Sequence, residues 1–501
     1  MSIISPQNLT ARLKNSKTLV ELRKHANEHA SIMDAVHDST ICVACGRFGS
    51  TDERMRNECR VLYLLAAGMW INRPEGSFGR GAREIANILH AGAKLRIDSQ
   101  NEVMRRLFEE AMRLSGGFDA QGASNIIWAA ATVALEDARV INALARACVD
   151  RVREMNAQGA SNALWSIATL KVSDDRVITA LSQACVDRVR EMNAQGASNA
   201  LWSIATLKVS DDHVITALSQ ACVDRVREMT AQNASNALWS IATLKVSDDH
   251  VITALSQACV ERVREMNAQN ASNALWSIAT LNVSDDRVIT ALSQACVDRV
   301  REMNAQGASN AFWSAAVLSI TDTAITNPLI SAVSDRFKSI IQFAHAQQCL
   351  QAHYSGLTLT EDAVKHFHAI LLAHPEPIST SNSQLAVSSA LTRLGYSPSL
   401  EVPIFDGVVT TDIVIEMNIS GGGDKERVSI EFDGPSHYLK PAFGSTDRIG
   451  PVDGKTHLRN TLLKKSGLFE RLITIPFYEW KEVEGDEVKV EEYLKRKLLR
   501  E

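Results

Sequence analysis

Three acidic residues in the C-terminal part of the chain, Asp412, Glu431 and Asp433, have spacings that suit metal chemistry. Glu431 and Asp433 are two apart, so on a β-strand their side chains share a face. Asp412 lies in a second strand-like run, Thr411–Met417. Carboxylates on adjacent strands can hold a Mg2+ ion that activates water and neutralises a phosphate in transit. Asp412, Glu431 and Asp433 are therefore the candidate metal ligands. The competing reading makes Asp433-Gly434-Pro435 a turn and pairs Glu431 with a neighbouring base. His437 suits a general base, a phosphate contact or a structural histidine. Lys455, Arg459, Lys464, Lys465 and Arg471 concentrate positive charge here, with Glu470 the only acid among them, which suits phosphate contact. Trp480 and Tyr478 could stack a base or belong to a core.

A second set of groups recurs. The segment NAQGASNALWSIATLKVSDDRVITALSQACVDRVREM, from Asn156, returns almost unchanged every 37 residues, and Trp128, Trp165, Trp202, Trp239, Trp276 and Trp313 keep that period. Gln158, Asn162, Ser166 and Thr169 fall at i, i+4, i+8 and i+11, lining one face of a helix opposite Ala160, Ala163, Leu164, Ile167 and Ala168. The same amides return as Gln195 and Asn199, Gln232 and Asn236, and Gln269 and Asn273. Uncharged donors and acceptors in a column suit reading the base edges of a single strand. The alternative is an ordinary solvated face, but such faces normally use Lys and Glu. Gly159, Gly196 and Gly307 give way to Asn233 and Asn270 in other copies, and this position is expected to tune which base each repeat accepts.

A fixed period of this length calls for a solenoid, whose units bury apolar surface only against their neighbours. Helix A is expected from an N-cap at Asn156 to about Lys171, and helix B from a cap at Ser173, with Asp174 and Asp175 in its first turn. Ile178, Leu181, Cys185, Val189 and Met192 would form the apolar stripe of helix B. Cys148, Cys185, Cys222, Cys259 and Cys296 recur once per repeat and read as small packing residues. Cys42-Val-Ala-Cys45 lacks a second pair at zinc-ligand spacing and reads as helix packing. The array fades at its ends, with His90 and Leu350 in the tryptophan slot and a further unit around Asp38 to Phe48.

At 501 residues the chain needs two or more domains, and its net charge of −5 gives no global basic signature for nucleic acid. The longest apolar run, Val61 to Ile71, is far short of the roughly 20 residues of a membrane span. No apolar signal-peptide segment opens the chain, so a cytoplasmic protein without membrane partners is expected, with mitochondrion or chloroplast as the alternative.

The helix A sequences resemble octotricopeptide and 37-residue heptatricopeptide repeats over about residues 80–355. Ser429-Ile-Glu-Phe-Asp-Gly-Pro-Ser-His-Tyr438, Gly454-Lys-Thr and Ile473-Thr-Ile-Pro-Phe-Tyr-Glu-Trp480 resemble the RAP domain over about residues 383–501. FAST-kinase-like RNA-processing proteins pair helical repeats with this domain. The resemblance implies a mainly α chain: an α-solenoid of two-helix repeats that binds single-stranded RNA, then a small α/β domain of restriction-endonuclease-like type. A nuclease of that type wants lysine where Asp433 stands, so Lys464 or Lys465 would have to supply it, and the catalytic set would be Asp412, Glu431, Asp433 and Lys464. The expected divisions are an N-terminal helical region at 1–116, the array at 117–373, a Pro/Ser-rich linker at 374–382 and the RAP-like domain at 383–501.

The leading expectation is a monomeric RNA-binding protein of RNA processing or stability that needs no cofactor to bind. Its RNA contacts would be the amides above with Asn233, Asn270, His437, Lys455, Arg459, Lys465 and Trp480. One alternative is a Mg2+-dependent endoribonuclease. Another is a protein-binding scaffold, since Lys171, Arg176, Arg188 and Arg190 balance Asp174, Asp175, Asp187 and Glu191.

Overall fold

Asn156 starts its repeat as expected, its side chain accepting the N–H of Gly159 at 2.8 Å and so capping helix A, Ala157–Thr169. These details come from a computed structural model that describes residues 5–49, 52–374, 380–418, 425–441 and 449–499. Ala160, Ala163, Leu164, Ile167 and Ala168 are buried. Lys171 adopts a left-handed conformation (φ 56°) that ends helix A and turns the chain. Helix B, Asp175–Asp187, is capped by Asp174 rather than Ser173. The Asp174 carboxylate accepts the N–H groups of both Arg176 (3.0 Å) and Val177 (3.4 Å) and places negative charge at the positive end of the helix. Val177, Leu181, Ala184 and Cys185 are its buried side chains, while Ile178 is half-buried. Val189 lies beyond the helix, in a 3-10 turn, and Met192 closes the repeat from a buried position.

Adjacent repeats are also joined by arginine. Arg225 donates to the carbonyl oxygens of Met192 and Arg190, both at 3.0 Å, across the boundary with the preceding repeat. Arg299 does the same to Met266 (2.8 Å) and Arg264 (3.2 Å). One cation per repeat is thereby committed to backbone.

The chain divides into two compact units, residues 1–228 and 229–501. In the first, the helices Ala35–Phe48, Ala82–Lys94, Ala120–Thr132, Ala157–Thr169 and Ala194–Thr206 pack one on the next as a helix-A layer. The expected unit around Asp38 to Phe48 is thus present. Cys42 and Cys45 are buried, and Cys42 Sγ approaches the carbonyl oxygen of Tyr63 at 3.8 Å, a packing role.

In the second unit the helix-A layer is Ala231–Leu244, Ala268–Thr280, Ala305–Val317 and Phe343–Ser355, with Leu350 buried in the tryptophan slot. Of the expected linker, residues 375–379 lie outside the described residues. After the helix Asn382–Arg393 comes a four-stranded sheet: β1 (Ser399–Ile404), β2 (Val409–Asn418), β3 (Lys425–Asp433) and β4 (Arg471–Pro476), in the order β1-β2-β3-β4. β1–β2 and β2–β3 are antiparallel, while β3 and β4 are parallel, joined through the helix Gly454–Lys465. Val387, Leu391, Ile413, Ile415, Val428, Ile430, Trp480 and Leu494 belong to one buried cluster.

This domain is fastened to the repeats of the same unit. Lys440 donates its N–H to the Lys245 carbonyl (2.5 Å), Ser247 N donates to the Lys440 carbonyl (2.8 Å), and Lys245 Nζ reaches Asp453 at 2.7 Å. A Cβ at Gly454 would collide with the carbonyl oxygen of Ala279, so glycine permits the close approach of the two backbones.

Candidate nucleic-acid interface

On helix A of the Asn156 repeat, Gln158 and Thr169 are exposed and Asn162 is half-buried, as the polar stripe requires. Ser166 is not part of it: the side chain is fully buried and donates to the Asn162 carbonyl at 2.6 Å. Trp165 takes the place, half-buried on the same face. Helical geometry explains the exchange. At about 100° per residue, positions 158, 162, 165 and 169 fall within roughly 60° of arc, whereas 166 lies about 80° from 158. The tryptophan that marks the period is thus a member of the amide column, a conclusion the spacing alone could have supplied.

The pattern holds in other copies. Gln195, Gln232 and Gln269 are exposed, and Asn199, Asn236 and Asn273 are half-buried beside half-buried Trp202, Trp239 and Trp276. In the repeat from Asn304, Asn310 and Trp313 are buried, and Trp313 Nε1 donates to Gln351 at 3.3 Å. In the first unit the face forms a groove of about 330 Å³ lined by Lys94, Trp128, Gln158, Asn162, Gln195 and Asn199. His90 stacks on Trp128 with ring centroids 4.8 Å apart, and burial pushes its pKa down to about 4, which leaves it neutral near pH 7.

Asn233 and Asn270 do not belong to this face. Both are buried, and each accepts the N–H of its own N-cap residue, Thr230 (3.3 Å) and Asn267 (3.5 Å), closing a capping box. They hold the helix start, so the expectation that they choose a base is corrected.

The C-terminal carboxylates come together, but around an arginine. Arg459, from the helix Gly454–Lys465, lies 2.7 Å from Asp433 Oδ1 and 3.3 Å from Glu431 Oε2. Glu431 is fully buried, and its other oxygen accepts from Thr411 Oγ1 (2.5 Å) and Asp412 N (3.2 Å). Asp412 Oδ2 accepts the N–H of Phe432 at 2.7 Å, and His437 Nδ1 lies 2.8 Å from Asp433 Oδ1. Burial pushes Glu431 up to about 7, against the pull of Arg459. For Asp433, burial is outweighed by the His437 hydrogen bond and the charge of Arg459, and its pKa falls below the ordinary value.

This geometry corrects the expected metal set. Among the described residues no group of three or more His, Cys, Asp and Glu side chains is placed to hold a metal ion. Arg459 is the cation that Glu431 and Asp433 share. Lys464, expected as the catalytic lysine, is exposed five residues further on, about 140° around the helix from Arg459. Arg459 and Arg471 are spent on internal partners, the latter on the Leu498 carbonyl at 3.0 Å. Lys455 and Lys465 are exposed, and Lys465 Nζ donates to the Ser355 carbonyl at 3.0 Å. Trp480 is 2 % exposed and packs edge-on to Phe432, so it serves the core and cannot stack a base.

His437, Arg459, Lys455 and Lys245 line a cleft of about 610 Å³ whose opposite wall is Phe343 and Gln347 of the last helix A. Nothing in the sequence sets Lys245 apart from Lys171 and Lys208, because its copy reads like theirs.

Comparison with known proteins agrees with this division of the chain into repeats and C-terminal domain. The family model described as RNA-editing substrate-binding complex 6 protein matches residues 9–323, and the RAP domain model matches residues 430–497. No curated protein matches. Among solved structures, a circular tandem repeat protein with novel repeat topology and enhanced subunit contact surfaces is similar over 73 % of this chain and 96 % of its own, with 9 % identity and a TM-score of 0.23. Among the described residues no helix is long and apolar enough to cross a membrane. The first family model spans more than half of the sequence and the second names the C-terminal module, and both concern RNA-associated processing or editing: the chain belongs to the RNA-editing substrate-binding complex 6 protein family and carries a C-terminal RAP domain.

Proposed function

We propose that this protein binds single-stranded RNA along the helix-A face of its repeats, as part of an RNA-editing or RNA-processing assembly. One observation carries the reading. Gln158 and Asn162, and their equivalents Gln195, Asn199, Gln232, Asn236, Gln269 and Asn273, keep their side-chain amides free of hydrogen bonds within the described residues, beside half-buried indoles. Such a surface offers base-edge hydrogen bonds and stacking platforms together. The RAP domain holds its place through Lys245, Lys440 and Gly454, and exposed Lys455 is its contact to phosphate.

In this reading Asp412, Glu431 and Asp433 are structural, and Mg2+ is not needed for binding. Mg2+-dependent cleavage of a bound RNA, abolished by Glu431→Ala, would overturn that assignment. The matched family is described by a complex, so protein partners are proposed beside RNA. For the compartment we favour mitochondrion or chloroplast, because the pairing of such repeats with a RAP domain resembles organellar RNA-processing proteins.

The test is retention of short single-stranded RNA by the full chain, measured across salt concentrations. Because the face is uncharged, affinity should fall only shallowly with salt, in contrast to binders that neutralise many phosphates. Failure to retain RNA at low salt sinks the reading.

A further inference from the structure

We propose that the indoles of Trp239 and Trp276, from successive repeats of the second unit, form a slot that takes one base of the strand between them. This rests on the helix-A reading above and adds how bases register on repeats. The two ring centroids are 6.5 Å apart and the planes are inclined by 32°. A base stacked on both sides needs two gaps of about 3.4 Å, the rise between neighbouring bases, or about 6.8 Å in all. The observed spacing is within about 0.3 Å of that, so one flat base enters once an indole turns toward parallel and the pair opens slightly. The terminal torsion of tryptophan is broad enough to allow that turn. Both rings are half-buried, so each keeps part of its surface open to solvent.

The pair His90 and Trp128 shows the contrast, because at 4.8 Å the rings leave no room for a base. Asn236 and Asn273 sit three residues before their indoles, one turn away on the same face. Their paired donor and acceptor thus face the edge of a base held in the slot. Burial of Trp313 ends this column beyond Trp276. The consequence is one nucleotide per 37-residue repeat, and near-identical copies then select a run of one base.

The test uses the full chain and short single-stranded homopolymer RNAs, each carrying one fluorescent adenine analogue whose emission falls on stacking. Affinity is read separately, from the anisotropy of a terminal dye. Binding should dim the analogue. Trp276→Leu should relieve the dimming and weaken affinity about ten-fold, as loss of one base–aromatic stack does. Leucine is chosen because Leu350 fills the same slot in the last repeat. Should that variant melt early, Trp276→Phe and the dimming in the unaltered protein decide the matter. RNA bound without dimming, or bound equally well by a folded Trp276→Leu, overturns the slot while leaving RNA binding intact. No binding by the unaltered protein overturns both.

Discussion

The helix-A face and the carboxylate cluster of the RAP domain are the two polar concentrations in this chain, and they differ in whether their groups are spent. In the cluster, Glu431, Asp433 and Arg459 are 0 %, 4 % and 17 % exposed at the side chain and pair as ions, although Glu431 Oε2, 3.3 Å from Arg459, accepts no hydrogen bond. Along helix A, Gln158 and Asn162 face outward with their amides unused. The titratable groups of β3 fasten the helix Gly454–Lys465 to the sheet through Arg459. The uncharged column, whose amides are unspent, is the surface with capacity left to bind.

The largest effect expected from breaking the contrast is on the cluster. Arg459→Met leaves Glu431 and Asp433 buried without their cation and should cost about 3–5 kcal/mol in urea unfolding. Arg459→Lys should recover part of that. The two acids also titrate in opposite senses. Glu431 is raised from 4.5 to about 7, so the folded state holds the extra proton between those values and stability declines as pH rises through that window. Glu431→Gln should flatten this stretch. Asp433 is lowered from 3.8, so its contribution is present above that pH and is lost as pH falls through its depressed value. A profile flat from pH 4 to 8 in the unaltered protein would contradict the Glu431 assignment.

Next in size is the seam that holds the RAP domain on the repeats. Gly454→Val drives a side chain into the Ala279 carbonyl and should cost about 3 kcal/mol, because backbone cannot step aside as a side chain can. The measurement is thermal unfolding, with proteolysis between the array and the RAP domain as the second reading. On the other side of the comparison, Asn199→Ala with Gln195→Ala should leave the melt within about 0.5 kcal/mol. The same pair should weaken RNA binding roughly five-fold or more, at about 1 kcal/mol per lost hydrogen bond. Equal loss of stability and binding would erase the distinction between spent and unspent groups.

How far the sequence was legible follows the same line. The period, the two helices per repeat and the stripes come from contacts within a repeat or with an adjacent copy, so local spacing carries them. Even the inclusion of Trp165 and the exclusion of Ser166 were available from helix angles. The role of Asn233 is not legible in the sequence, because an amide in a first turn can face outward or close a capping box, and that depends on χ1 rather than on position. Arg459 was visible as a cation, but its partners lie 26 and 28 residues away on another element. The strands, their helix crossover and the turn after Asp433 were readable; the choice between Mg2+ and guanidinium at their centre was not. Asn233→Gly and Asn270→Gly sharpen this point. Each should cost about 0.5 kcal/mol through loss of half a capping box, with no change in RNA preference in a binding selection.

A difference of sign, rather than of size, separates residues that share one place in the repeat. Lys171, Lys208 and Lys245 occupy the same place in three copies, with φ of 56°, 56° and 57°. In the left-handed region glycine carries no Cβ penalty, so Lys171→Gly and Lys208→Gly should each stabilise by about 0.5 kcal/mol. Lys245→Gly gains the same relief but removes the cation 2.7 Å from Asp453, whose side chain is 4 % exposed, and with it the hydrogen bond to the Ser436 carbonyl. A buried carboxylate left short of its partner costs about 1–3 kcal/mol, which outweighs the backbone gain. Two substitutions should therefore raise the melting temperature and the third, alike in every neighbouring letter from Ala234 to Asp249, should lower it. A common sign for all three would mean that the RAP domain draws nothing from Lys245 and is held by the backbone pairing of Lys440 and by the glycine contact alone.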